Sequence, residues 1–174
     1  MTARERYRQA MEWLYIVCMV LSGITLVAIT LMIPVGVFMR YVMNSPLSWP
    51  EPASVVLMLI FSFIGGAAVY RANVHVAVEA LLNAVGPKKR ALMLKFVDVC
   101  MGATALFMIG YGIHLCVITR FSTMAEFPWL SVAYVYSPIP VSGLLILLFL
   151  VERVWLGSPP KTSIMYSDQA MELD

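Results

Sequence analysis

Charge is scarce in this sequence. Asp, Glu, Lys and Arg make up 13% of the 174 residues, about half their share in soluble domains, which excludes an ordinary water-soluble core. Histidine is limited to His75 and His114, and cysteine to Cys18, Cys100 and Cys116. These few ligands form no cluster with metal-binding spacing. The cysteines are odd in number and fall inside apolar runs, so they read as small packing residues and not as a disulfide framework. A membrane thiol oxidase would need cysteine pairs in the loops, and the loops have none. Paired histidine ligation of a haem fails on placement, because His75 and His114 belong at opposite membrane faces. A glycine-rich phosphate loop is missing, as is a nucleophile with an evident base. The chain therefore reads as a non-enzyme with no cofactor of its own.

What the sequence has instead is long apolar runs, with 61% hydrophobic residues overall. Runs of about 18 residues or more read as membrane spans, and there are four: Trp13 to Met39, Ala53 to Tyr70, Phe96 to Ile118 and Val132 to Trp155. The fold class expected is an all-α integral membrane protein of four transmembrane helices. Ten of the twelve basic residues lie in alternate segments: Arg4, Arg6 and Arg8 in the N-terminal tail, Arg71, Lys88, Lys89, Arg90 and Lys95 in the central loop, and Arg153 and Lys161 at the C-terminal end. Only Arg40 and Arg120 occupy the other two connections. Because basic residues are retained in the cytoplasm, both termini are expected there. The first run is too long for a signal core and reads as a retained helix. The organisation expected is an interfacial lead-in over 1–12, anchored by Trp13 and Tyr15, a membrane domain over 13–156 and a polar tail over 157–174.

The connections carry most of the local pattern. Ser48 and Glu51 have capping-box spacing with Pro50 in the first turn. Glu51 thus reads as a helix cap, paired with Arg40 across the hairpin, or as a docking point on the outer face, and the two roles are compatible. Pro34 and Gly36 predict a bend in the first span. The Gly65-Gly66-Ala67-Ala68 patch allows another helix to approach closely, and Pro138 and Pro140 predict a kink in the last span, covered by a neighbouring helix. Between spans two and three, Ala77, Val78, Leu81, Leu82 and Val85 share one face of a short interfacial helix that Gly86-Pro87 ends. Arg71, His75, Lys88, Lys89 and Arg90 are expected among the phospholipid headgroups at this surface. A nucleic-acid partner would need a basic stripe with aromatic or polar readers, which this run beside a hydrophobic helix does not provide. Asp98 is expected to pair with Lys95 near the inner surface, and His114 to reach water or a neighbouring helix near the outer one. The two are about 24 Å apart along a helix and form no relay.

Moving a hydrophilic solute requires polar groups near the bilayer midplane, and the middle of every span is apolar. The chain thus reads as a part that holds another protein; the alternative is a self-contained four-helix transporter or channel. Four stretches carry a resemblance: Phe38-Met39-Arg40-Tyr41, Ser48-Trp49-Pro50-Glu51, Gly65-Gly66-Ala67-Ala68-Val69-Tyr70-Arg71 and His75-Val76-Ala77-Val78-Glu79. In order and spacing they resemble the small DctQ-like membrane subunit of tripartite ATP-independent periplasmic (TRAP) transporters, over about residues 10 to 156. Pro52 departs from the pattern where a second acidic residue is usual, and Glu79 where aspartate is commoner. The resemblance implies a complex in the bacterial inner membrane with a large DctM-like subunit and a periplasmic substrate-binding protein. Organic-acid and sodium sites would lie in the large subunit, which moves as an elevator beside a static small subunit. It further implies that Arg40, Tyr41, Asn44, Trp49, Glu51, Arg120 and Glu126 form a partner interface on the periplasmic side.

Overall fold

The computed structural model describes residues 3–72 and 87–157, with side chains over 4–72 and 92–157. The interfacial helix expected after Arg71, including His75, and the polar tail lie outside the described residues. Helix α1 runs Ala3–Tyr41, α2 Pro50–Ala72 and α3 Pro87–Thr119; α4 is a short helix, Val132–Tyr136, followed by α5, Pro138–Leu156. Among the described residues, the only pairing outside helices is an isolated bridge between Thr123 and Ser131. Four stretches are long and apolar enough to cross a membrane: Arg4–Tyr41, Pro50–Ala72, Leu92–Thr119 and Val132–Leu156. Each expected span lies inside one of them. The helices outlast the apolar runs because polar residues at a helix end keep its backbone bonds while reaching headgroups or water.

Side by side, α1 packs on α2, α2 on α5 and α5 on α3, with a lesser contact between α1 and α5. The seams follow helical spacing. Met11, Tyr15, Cys18, Ser22 and Thr25 of α1 recur every three or four residues and are all buried, as are Leu145, Ile146, Phe149 and Glu152 of α5. Residue size is inverted relative to a soluble core. The completely covered positions are mainly small, namely Ala67, Ala68, Ala105 and Ser142, whereas Leu31, Phe96, Phe107 and Trp155 are exposed. In a bilayer an outward leucine costs nothing, and close backbone approach supplies the packing. A Cβ on Gly143 would stand 2.9 Å from the Ala105 carbonyl oxygen, and one on Gly65 would stand 3.2 Å from Ser22 Oγ.

Two local expectations change. Residues 3–12 are not a separate lead-in: α1 starts at Ala3 and continues through Pro34 to Tyr41 as one element. Tyr15 is no surface anchor, being buried, although Trp13 is exposed. The last span carries its expected kink as a one-residue interruption, with Ser137 itself still in helical conformation (φ −58°, ψ −27°). The helix stops at Tyr136 and restarts at Pro138, which puts Pro138 and Pro140 in the first turn of α5, where a missing N–H forfeits no helical bond. Ser137 bridges the break, its hydroxyl donating to the Tyr134 carbonyl at 2.8 Å. Gly112 of α3 covers it, because a Cβ there would lie 2.8 Å from Pro140 Cδ.

Candidate functional site

The charged side chains of the described residues lie at the helix ends, and the end that carries both termini holds the tightest constellation. There Arg71, in the last turn of α2, donates from Nε to Glu152 Oε2 and from Nη2 to Glu152 Oε1, both at 2.8 Å. The two side chains are 3% and 4% exposed. The guanidinium carbon lies 5.3 Å from the ring centre of Tyr15 and 5.6 Å from that of Phe149. Arg71 is thus held by a forked ion pair and by aromatic rings from α1 and α5. One step along α5, Arg153 Nε lies 3.2 Å from Asp98 Oδ1 of α3, and the Tyr70 hydroxyl of α2 faces both of these groups. From α1, the Tyr7 hydroxyl donates to the Leu148 carbonyl at 3.2 Å and Arg8 Nη2 to the Leu156 carbonyl at 3.3 Å. All four long helices are therefore tied together at one end.

This arrangement corrects two expectations. Arg71 is not at a lipid surface, because α5 supplies a carboxylate at the same depth and the pair is buried. Asp98 pairs with Arg153 across the α3–α5 seam and not with Lys95 on its own helix. Glu152 is absent from the sequence reading. It lies one turn from the end of an apolar run, where a lone carboxylate next to an arginine looks like an interfacial residue. The available signal was Arg71 at the end of a small-residue patch, a buried cation in need of an anion. Lys88, Lys89 and Arg90 fall in the first turn of α3, and their side chains lie outside the described residues.

The opposite end is looser. Arg40 Nη1 and Glu51 Oε1 are 3.9 Å apart with side chains 53% and 86% exposed, a geometry that contributes about 1 kcal/mol or less. With Ile33, Val37, Leu47 and Pro50 they line a cleft of about 170 Å³. Asn44 turns the chain with φ 48°, a left-handed conformation that asparagine tolerates better than most residues. The expected capping box does not form. Ala53 N–H donates to the Trp49 carbonyl at 3.0 Å, which makes Trp49 the cap and sets Glu51 one position short of the box register. Tyr41 and Trp49 are exposed. In the second loop Ser131, not an acidic residue, caps a helix: its hydroxyl accepts from Ala133 N–H at 3.3 Å and donates to the Arg120 carbonyl at 2.8 Å. Arg120 lies over Phe121, 4.3 Å from the ring centre, and Glu126 is exposed. Arg40 and Glu51 are brought together; no ion pair among the described residues joins them to Arg120 or Glu126.

Of the expected packing positions, Gly65 meets Ser22 and Pro140 meets Gly112, but a Cβ on Gly66 would meet nothing within 4 Å. Gly66 therefore makes no close helix contact inside this chain. Three buried hydroxyls in the spans serve their own helices, with Thr25 donating to the Ser22 carbonyl, Ser54 to Pro50 and Ser142 to Ile139, whereas the buried Ser22 hydroxyl has no hydrogen-bond partner among the described residues. No group of three or more His, Cys, Asp or Glu side chains that could hold a metal occurs among the described residues.

A helical bundle tied together at one end, apolar through its middle and polar in its loops has the make-up of a membrane-embedded part, and comparison with known proteins agrees. The sequence profile of the tripartite ATP-independent periplasmic transporters, DctQ component, matches residues 26–158. A protein of Haemophilus influenzae (strain ATCC 51907 / DSM 11121 / KW20 / Rd), named as a TRAP transporter small permease, is 26% identical over 129 residues, which cover 74% of this chain and 80% of that protein. The chain thus belongs to the DctQ component family of the tripartite ATP-independent periplasmic transporters and is a multi-pass inner-membrane protein.

Proposed function

We propose that this chain is the immobile small subunit of its transporter. It widens and anchors the frame beside which a large subunit carries an organic acid, delivered by a periplasmic binding protein, across the membrane with sodium. The observation that carries the reading is the position of charge: ion pairs bolt the helices together at one end, and no charged side chain of the described residues lies mid-span. A frame needs the first property, and a carrier of hydrophilic solute could not work with the second. The frame also has the right height. Glu51 and Arg71 bracket α2, and Asp98 and Thr119 bracket α3, each by about 30 Å at 1.5 Å per residue, the thickness of a hydrocarbon core. With most basic residues at the termini end, that end is the cytoplasmic one.

Co-purification tests the reading. Tagged chain should recover a much larger hydrophobic protein from the membrane, and vesicles holding this chain alone should show no sodium-driven organic-acid uptake. Flux through such vesicles would favour a self-contained transporter and refute the frame. The loop-end residues are proposed to receive the binding protein. Charge reversal at Arg40 or Glu51 should then lower uptake by the full complex at unchanged abundance; normal uptake in both variants would reject that role.

A further inference from the structure

We propose that the exposed face of α3 around Phe107, Tyr111 and His114 is the surface on which the large membrane subunit docks, an inference that rests on the frame reading above. α3 is the least covered span, with 6% of its apolar window buried. Its inner face is accounted for: Ala105 and Gly112 meet α5, and Cys116 Sγ donates to the Ala133 carbonyl at 3.5 Å. Phe107, Tyr111 and His114 follow one another at i, i+4 and i+7 on the opposite face. Tyr111 is 66% exposed and His114 is also exposed, and neither polar group has a hydrogen-bond partner among the described residues.

Depth makes this exposure informative. His114 and Tyr111 precede the end of α3 at Thr119 by about 8 Å and about 12 Å along the axis. The Asp98–Arg153 pair marks the other boundary, so both residues lie within the hydrocarbon. They cannot reach back to the nearer interface, because side chains lean toward the helix N-terminus, which for α3 points to the membrane centre. Nor can they satisfy themselves. The exposed hydroxyls of Thr30 and Thr104 bond carbonyls of their own helices, and Ser62 has the same option, but a phenol or an imidazole ends too far from its own backbone. Facing lipid, each would pay for a lost hydrogen bond with water. Facing a protein helix that offers acceptors, each is satisfied. Gly110, on the same face, has nothing within 4 Å of a Cβ position and leaves room for that helix to approach. The periplasmic binding protein cannot enter the bilayer, which leaves the large subunit. The stacked Phe107 and Tyr111 rings, 4.5 Å between centres, supply an apolar anchor beside the polar groups.

The test is photocrosslinking in the intact complex, with benzoylphenylalanine placed at Phe107 or Tyr111 and, as the comparison face, at Ile24 or Leu31 of α1. Adducts with the large subunit are expected from the α3 positions and not from the α1 positions. Adducts from α1 alone, adducts only with a second copy of this chain, or none from α3 in a complex that co-purifies, would overturn the assignment. Failure of the unsubstituted chain to co-purify with a large subunit would instead overturn the frame reading. In parallel, Tyr111→Phe and His114→Leu should each lower recovery of the large subunit in detergent by about threefold, typical of one hydrogen bond between membrane helices, without reducing the amount of this chain. Unchanged recovery in both variants, or loss of the chain itself, would count against the proposal.

Discussion

Removing one member of the Arg71–Glu152 pair should damage the protein far more than removing both. In Glu152→Gln the arginine keeps its charge at a site where its side chain is 3% exposed, between Tyr15 and Phe149. A buried pair broken on one side typically costs about 3–5 kcal/mol, and the two rings, worth about 1 kcal/mol each to a cation, do not offset that. Replacing both partners by apolar residues of similar size, Arg71→Met with Glu152→Leu, removes the unpaired charge as well and should leave stability within about 2 kcal/mol of the parent. The assay is thermal unfolding of the complex in detergent, comparing the parent, Glu152→Gln, the single variants Arg71→Met and Glu152→Leu, and their double variant, the last three closing a double-mutant cycle with the parent. At about 2–4 °C per kcal/mol for a domain of this size, Glu152→Gln should lower the midpoint by about 10 °C, whereas the double variant should recover most of that loss. A single variant as stable as the parent, or a double variant no better than the worse single one, would refute the argument that desolvated charge governs this end.

Asp98→Asn, at a partly exposed pair, should cost about 1 kcal/mol in the same assay, well below Glu152→Gln. Gly112→Val should destabilise by about 1–3 kcal/mol through overpacking against Pro140, while Gly66→Ala, with open space around it, should change the melting midpoint little. Ser131→Ala should weaken the start of α4 by about 1 kcal/mol, whereas Ser48→Ala should be neutral, since Trp49 and not Ser48 begins α2; unfolding curves for the two variants compare these caps directly.

The four spans were legible because partition into a bilayer is nearly additive along the chain: a run of apolar residues crosses whatever its neighbours do. The close approach at Gly65 was legible for a related reason, since a residue without a side chain announces room for a neighbour. Gly66 beside it meets no other helix of this chain, a difference that composition does not show because it gives no direction around a helix axis that is apolar on every side. The kink at Pro138 and Pro140 was legible from the missing N–H groups, yet which helix covers it was not, because Gly112 sits 26 residues before Pro138. Capping at Ser48 failed by a single position, the smallest error that still removes the interaction.

The long apolar runs alone thus determined a four-span membrane protein with an apolar interior, and four short motifs carried its likeness to the DctQ component. Only the tertiary structure decided that Arg71 faces Glu152, 81 residues away, that Asp98 chooses Arg153 over Lys95, and that Tyr111 and His114 turn away from the bundle. The physical reason is that hydropathy depends on what a residue is, whereas an ion pair or an unmet hydrogen bond depends on what stands opposite it once the helices have packed.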